Sequence, residues 1–261
     1  MNKKSKNKHL MEVVFEFYWK LEQKDNKKII QDPNYNIFLI KDFINKIEEY
    51  PEYEALPTSK IPAEAIPYIV QHRFRKDKNK WPVLQLGHGI ITVNENEQYN
   101  DWKEFKTNIK YLLENFLYVY DKNNKEKNEL KIFKLGLRYL NAIPFDYKVN
   151  NTFKYLEDNL NTKIEFGKNI LKDIKKESTS IDLQFTFPIN KINSSLLLRF
   201  ANGKKNNKDI LNWNINIFSD ESPSIKIDKD QKSILKWTEE VHEFIKDFYM
   251  NITQIKNIGK K

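Results

Sequence analysis

The chain has 261 residues, a formal net charge of +9, and a composition that is 39% hydrophobic and 13% aromatic. This length fits one large domain or two small units that share a sheet. The aromatic content is sufficient for a sizeable core, which excludes a disordered chain. There is no cysteine, so disulfide frameworks, thiol nucleophiles and cysteine-ligated zinc or iron–sulfur sites are excluded.

The positive charge is concentrated at the two ends of the chain. Residues 1–9 carry four lysines, residues 254–261 carry three, and neither segment has an acidic residue. These seven charges leave the body of the protein nearly neutral, and we expect both segments to be disordered tails. As an alternative, the tails attract polyanions through counterion release.

Nothing in the sequence indicates insertion into a membrane. The apolar run near the N-terminus contains Glu12 and Glu16 and lacks a small-residue cleavage site, so it does not fit a signal peptide. No stretch approaches the roughly 18 apolar residues that a membrane-spanning helix needs. We therefore expect a cytoplasmic protein.

Periodicity in the first half predicts strands where apolar and polar residues alternate and helices where apolar residues recur at helical spacing. In chain order the predicted elements are a strand at Glu12–Trp19, a helix at Ile37–Ile47, strands at Tyr68–Lys76 and Val83–Val93, and a helix over Trp102–Phe116 capped by Asp101. Four prolines within Tyr50–Pro67 exclude a long regular element there and predict a mobile surface flap.

The second half repeats this kind of order. Its predicted elements are a strand at Lys131–Ile143, a helix at Thr152–Leu160, strands at Ile181–Ile189, Leu196–Phe200 and Leu211–Ile217, and a helix over Leu235–Ile252. An Asn202-Gly203 turn is predicted between the last two strands.

These elements predict an α+β fold in which mainly antiparallel strands form one shared sheet, or two packed sheets, with helices on one face. Because strand, helix, strands, helix occurs twice, we expect an internal duplication. The predicted halves are residues 10–125 and 126–253, between the tails 1–9 and 254–261.

Three short blocks resemble a sporadically distributed family of uncharacterised bacterial proteins. The blocks are QLGHGIITVN at Gln85–Asn94 followed by Tyr99, Trp102 and Phe105, then LRYLN at Leu137–Asn141, then Trp237 with the helix of His242. The family commonly has a proline where this chain has His88, so no role is transferred to that residue. The resemblance implies a protein that travels with mobile elements or antiviral defence gene clusters, and it implies no particular chemistry.

No motif in the chain indicates catalysis, a metal site or a cofactor. The Gly87-His88-Gly89 sequence leads into another apolar run instead of a helix, so a bend or bulge within a strand is favoured over a phosphate loop. The four histidines have no metal-binding spacing, and His242 lies among glutamates, where an ion-paired or exposed side chain is ordinary.

The four arginines are the best candidates for a binding site, because 41 of the 45 basic residues are lysine. A guanidinium binds phosphate or carboxylate through two parallel hydrogen bonds, which lysine cannot do. The candidate ligand or phosphate site consists of Arg73, Arg75, Arg138 and Arg199, with His72 and His88 nearby in sequence. The alternative is that these arginines pair with carboxylates on neighbouring strands.

Two functions are compatible with these patterns. The favoured hypothesis is a non-enzymatic binding or assembly protein that meets a protein partner or a second copy of itself. The alternative is an RNA- or nucleotide-binding protein, or a metal-independent nuclease, that holds phosphates with the arginines and stacks bases on nearby aromatic residues.

Overall fold

The structure is a computed structural model, and it describes residues 9–23, 30–31, 35, 37–62, 65–123, 130–167, 180–219 and 231–253. Its strands are β1 (Leu10–Trp19), β2 (Glu22–Gln23), β3 (Ile30–Gln31), β4 (Glu52–Ala55), β5 (Val70–Arg75), β6 (Val83–Gly87), β7 (Ile90–Asn96), β8 (Ile132–Pro144), β9 (Asp182–Ile189), β10 (Ser194–Lys205) and β11 (Lys208–Ser219). Its helices are α1 (Ile37–Lys46), α2 (Trp102–Asn123), α3 (Thr152–Leu160) and α4 (Gln231–Ile252).

Nine of the strands form one antiparallel sheet, which confirms the predicted α+β class and the shared sheet. Their order is β4-β5-β6-β7-β1-β8-β11-β10-β9, while β2 and β3 form a separate two-stranded ribbon. The centre of the large sheet is the antiparallel pair β1 and β8, in which Phe15 lies opposite Leu137.

The two halves of the chain have the same connectivity around this central pair. β1 also pairs with β7, the last strand of its half, and β8 also pairs with β11, the last strand of its half. Outward from there, β6 and β5 on one side correspond to β10 and β9 on the other. This pattern is that of an internal duplication with a two-fold relation between β1 and β8. β4 is an extra strand of the first half.

The core lies between the sheet and the helices. In β1 the residues Val13, Phe15, Phe17 and Trp19 are fully buried because every second side chain points to the helices. The ring of Phe116 on α2 lies 5.7 Å from that of Phe17 and 4.9 Å from that of Trp19. Each such ring removes about 150–250 Å² from water, so β1 and α2 together anchor the fold.

The first residues of α2 and α3 are those that the sequence predicts. The side chain of Asp101 accepts a hydrogen bond from the backbone N–H of Glu104, and the side chain of Asn151 accepts one from the N–H of Lys154. A carboxylate or amide in this position satisfies a backbone donor that the first helical turn leaves without a partner. Both helices therefore begin where the sequence predicts.

Three predicted details differ from the structure. The run Val83–Val93 is two strands, because Gly89 has a φ of +82° and forms the tight turn of a hairpin between β6 and β7. The turn between β10 and β11 lies at Asn206 and Asn207, both with positive φ, instead of at Asn202-Gly203.

The third difference concerns the predicted flap at Tyr50–Pro67, which contains β4 and a 3-10 helix at Pro57–Lys60. The segment is held to β5 by hydrogen bonds from the hydroxyl of Thr58 to the carbonyl of Val70 and from the amide of Gln71 to the carbonyls of Thr58 and Ile61. The described part of this segment is therefore packed on the sheet.

The predicted tails lie almost wholly outside the described residues, as does the predicted boundary at residues 125 and 126. His9, which we placed in the N-terminal tail, is described, and its carbonyl accepts a hydrogen bond from the N–H of Ala142. Among the described residues, no helix is long and apolar enough to cross a membrane.

Candidate interaction surface

The first outer edge of the sheet is β4, a strand of four residues. Glu52 and Glu54 point to the face opposite the helices, and the carboxylate of Glu54 lies 3.2 Å from the guanidinium of Arg73 on β5. Pro51 and Pro57 flank the strand. Short length, charge and flanking prolines are features that keep a sheet edge from pairing with another chain.

The second outer edge is β9, which has eight residues and is exposed over most of its length. Its side chains on the helix side of the sheet include Phe185 and Phe187, which are 38% and 48% exposed. Their rings stack 6.3 Å apart. Their opposite residues on β10 are Leu198 and Leu196, both buried. The core therefore continues to this edge and ends there as an apolar surface that is open to water.

The polar side of β9 has little free charge. Asp182 is the one charged residue of the strand, and its two carboxylate oxygens accept hydrogen bonds of 2.7 Å from Arg199 on β10. Gln184, Thr186 and Pro188 are uncharged. The edge has none of the lysines by which exposed strands usually prevent pairing.

A groove of ≈ 620 Å³ lies between α4 and the turn that follows β9. Its apolar wall includes Phe244 and Phe248, whose rings stack 6.3 Å apart. Lys191 and Ile192, just beyond the end of β9, form the opposite wall. The remaining lining residues are mostly carboxylates from α4, namely Glu239, Glu240, Glu243 and Asp247, with Asn251.

Residues from all three sequence blocks meet beneath this groove. His242 of α4 stacks on Trp102 of α2 at 4.2 Å with nearly parallel rings, and its Nδ1 lies 2.8 Å from the hydroxyl of Tyr139 on β8. The ring of Tyr139 also lies 6.2 Å from that of Tyr99, in an edge-to-face arrangement. Glu239 accepts a hydrogen bond from the indole N–H of Trp102. These contacts join two helices and a strand that are far apart in the chain.

Burial lowers the pKa of His242 to about 4, because the charged imidazolium loses hydration there. Nearby Glu243 and Glu239 offset this effect only in part. The ring is therefore neutral at physiological pH and acts as a packed, hydrogen-bonded residue.

The four arginines all lie on the polar face of the sheet, the face opposite the helices, but they do not converge. Arg75 and Arg138 share a row and are separated by β6, β7 and β1, which is about 19 Å at the usual strand spacing. Arg138 and Arg199 are two strands apart. The structure therefore places the candidate phosphate ligands along the sheet instead of around one point.

Each arginine has a local partner. Arg73 pairs with Glu54, and Arg199 pairs with Asp182 through two hydrogen bonds. Arg75 donates to the carbonyl of Lys80 and lies over the ring of Trp81. Arg138 has the longest ion pair, with 4.0 Å to the carboxylate of Glu16. For Arg73, Arg138 and Arg199 this arrangement corresponds to the cross-strand alternative that the sequence left open, whereas the described contacts of Arg75 are with a carbonyl and an aromatic ring.

The two candidate histidines lie apart from the arginines. Because side chains alternate along β5, His72 points to the helix side, where its Nδ1 lies 3.0 Å from the hydroxyl of Tyr53. His88 is buried in the turn between β6 and β7, with its ring 5.0 Å from that of Tyr35. Neither histidine shares a site with Arg73 and Arg75.

A polar network crosses the centre of the polar face. Asn94 donates to the carboxylate of Glu12 at 3.0 Å, and the hydroxyl of Thr92 donates to the amide oxygen of Asn94 at 2.6 Å. Gly136 makes room beside them, because a Cβ there would approach the carboxylate of Glu16 to 2.8 Å. These hydrogen bonds give the buried polar side chains of the network partners within the sheet, as buried polar groups require.

Within the described residues, no group of three or more histidine and acidic side chains has an arrangement that would hold a metal ion. Comparisons of the chain with protein-family models, curated proteins and solved structures found no match.

Proposed function

We propose that this protein is a non-enzymatic assembly protein that joins its partner by strand addition at β9. The observation that carries the proposal is the difference between the two edges: β4 is short and charged, whereas β9 is long, uncharged along Leu183–Ile189 and flanked by two exposed, stacked phenylalanines. In strand addition the backbone of the edge supplies hydrogen bonds, and alternate side chains supply specificity.

The groove beside α4 supports the same proposal. It begins at Lys191 and Ile192, in the short helical turn after β9, so a chain bound along the edge has an apolar and acidic recess at the end of its path. Exposed apolar patches beside polar rims are typical of protein interaction sites. His242 lies in a packed cluster and burial lowers its pKa, so packing accounts for this residue and no catalytic role is needed to explain it.

The experiment is native mass spectrometry of the protein purified from its source organism, with two variants. Phe185→Lys/Phe187→Lys places two charges on the β9 edge, and Tyr53→Lys places one on an equally exposed aromatic position of β4. We expect wild type and Tyr53→Lys to retain a bound protein chain and the double variant to lose it. A wild-type protein that carries no partner, or a complex that survives in the double variant, would exclude the proposal.

A nucleic-acid-binding role is the second candidate, and one observation favours it. All four arginines and Lys134, which lies over the rings of Tyr18 and Phe218, are on the same polar face. Such binding weakens steeply as salt rises. Fluorescence anisotropy with a single-stranded RNA tests it: Arg73→Ala/Arg75→Ala should weaken binding if the face is the site. Loss of binding on deletion of residues 1–8 and 254–261 would instead attribute it to the lysine-rich ends.

A further inference from the structure

We infer that the chain added at β9 is the β9 strand of a second copy of this protein, so that two sheets join across a two-fold axis. The inference rests on the proposed function, because it names the occupant of the same edge. Three independent features of β9 support it: its residue pattern, its charge and its place in the duplicated fold.

The residue pattern of β9 is complementary to itself. In an antiparallel pair centred on Thr186, Phe185 lies opposite Phe187 of the second copy, and Leu183 lies opposite Ile189. All of these side chains point to the helix side of the sheet. Cross-strand aromatic pairs are among the most favourable in antiparallel sheets, and the two-fold axis makes each pair occur twice.

On the polar face of the sheet, the side chains of this strand pair are uncharged. Thr186 faces Thr186 of the second copy, and Gln184 faces Pro188. Proline cannot donate a ladder hydrogen bond and is tolerated on edge strands, and it falls near the end of the overlap. No like charges oppose each other within Leu183–Ile189.

The corresponding pairing of β4 with a second β4 is unfavourable. If that pair is centred on Tyr53, Glu52 lies opposite Glu54 of the second copy on both sides of the axis. Directly opposed like charges destabilise a strand pair. Charge therefore permits self-pairing at one edge of the sheet and opposes it at the other.

The duplicated fold also indicates where a strand is expected. β5 and β9 correspond in the two halves, and the outer side of β5 pairs with β4. Within the part of the chain that the structure describes, no strand pairs with the outer side of β9. The second copy of β9 occupies the position that β4 occupies in the first half.

The net charge of +9 per copy adds a diagnostic property. Two copies repel each other at long range, and salt screens this repulsion over about 8 Å at physiological ionic strength. Self-association through an uncharged strand should therefore strengthen as salt rises. Nucleic-acid binding has the opposite dependence.

The absence of cysteine makes a direct test available. Thr186→Cys places one thiol on the proposed axis, opposite itself, and Tyr53→Cys places a thiol at the centre of β4 as a matched control. On mild oxidation we expect a disulfide-linked dimer from Thr186→Cys and mostly monomer from Tyr53→Cys, since a disulfide needs Cβ atoms about 4 Å apart. Equal cross-linking of both variants would indicate random collision and overturn the inference.

Sedimentation analysis of the unmodified chain completes the test. We expect a dimer whose dissociation constant rises about 100-fold in Phe185→Lys/Phe187→Lys, because two central aromatic side chains are lost from the interface. Circular dichroism should stay unchanged, which shows that the variant is folded, and the Tm of the wild type should exceed that of the variant more as protein concentration rises, because association stabilises the folded chain. A wild type that is monomeric at concentrations on the order of 100 μM would overturn self-association. A different protein chain that co-purifies and is lost in the same variant would then still support strand addition at β9.

Discussion

The two outer strands of the sheet, β4 and β9, differ in length and in charge, two properties that govern pairing with another strand. β4 has four residues, two glutamates and flanking prolines, and β9 has eight residues and two exposed phenylalanines. Each strand already pairs with an inner neighbour, so the sheet of one chain forms without a further strand at either edge. This difference is the basis of our proposal that β9, and not β4, receives another chain.

The sharpest contrast is expected between phenylalanines near the two edges. Phe74 on β5 is fully buried against Phe43 and Tyr53 beside the closed edge, so Phe74→Ala should lower the free energy of unfolding by about 3–5 kcal/mol. Phe185→Ala at the open edge should lower the free energy of unfolding of the monomer by about 1 kcal/mol, because the ring is partly exposed. Urea unfolding at low protein concentration measures both. Similar losses would mean that the open edge is part of the core.

The next largest effect is the dependence of stability on pH that His242, in the second half of the chain, produces. His242 has a pKa of about 4 in the folded protein against an ordinary value of 6.5. The unfolded chain therefore binds more protons between these values, and stability is lost as pH falls from 6.5 to 4. The loss should reach up to about 3 kcal/mol. Thermal unfolding of His242→Gln across this range should lack that slope, and an unchanged slope would contradict the assignment.

The first half should respond to pH in the opposite sense. Burial raises the pKa of Glu95 to about 7, with Glu104 adding to the effect. The folded protein then binds more protons than the unfolded chain between pH 4.5 and 7, so this residue reduces stability as pH rises through that window. Glu95→Gln should raise stability at pH 8 by about 1 kcal/mol, allowing for solvent screening of a carboxyl that retains some exposure, and should change nothing at pH 4.

The smallest effect is expected from the ion pairs at the two edges. Arg199→Ala removes the pair with Asp182, and Glu54→Ala removes the pair with Arg73. Both substitutions should change the stability of the monomer less than any other change described above, because exposed pairs gain little in water. Urea unfolding measures both.

A double substitution on β4, Glu52→Thr/Glu54→Thr, tests the difference between the edges from the other side. It should give β4 some tendency to associate, seen by light scattering as species larger than a dimer, since two pairing edges allow chain growth.

Local signals in the sequence predicted most of the fold. The cap at Asp101 and the alternation in β1 are determined by near neighbours, so the sequence alone locates them. The hairpin between β6 and β7 was missed because both strands are buried on both sides and read as one apolar run. β4 was missed because flanking prolines indicate a loop, although four residues between them are enough to pair at an edge.

The candidate site was less predictable, because it depends on contacts between distant segments. Leu183, Phe185 and Phe187 alternate with polar residues, as in any strand with one buried side. Only the tertiary structure shows that Phe185 and Phe187 remain exposed. The arginines were predicted on strands, correctly, but register decides which carboxylate lies opposite each one. The meeting of Tyr99, Trp102, Tyr139 and His242 has no local signal at all.

The central strand pair has a consequence for how the chain is made. Phe15 pairs with Val93 and with Leu137, so β1 leaves the ribosome long before either of its neighbours. Until β8 is synthesised, one side of an apolar strand has no native partner, and contacts of such sequence separation form slowly. Translation that stops after α2 would therefore release the first half of the sheet with β1 as an unpaired apolar edge that is prone to aggregate. The first half thus depends on synthesis of β8 to cover this edge.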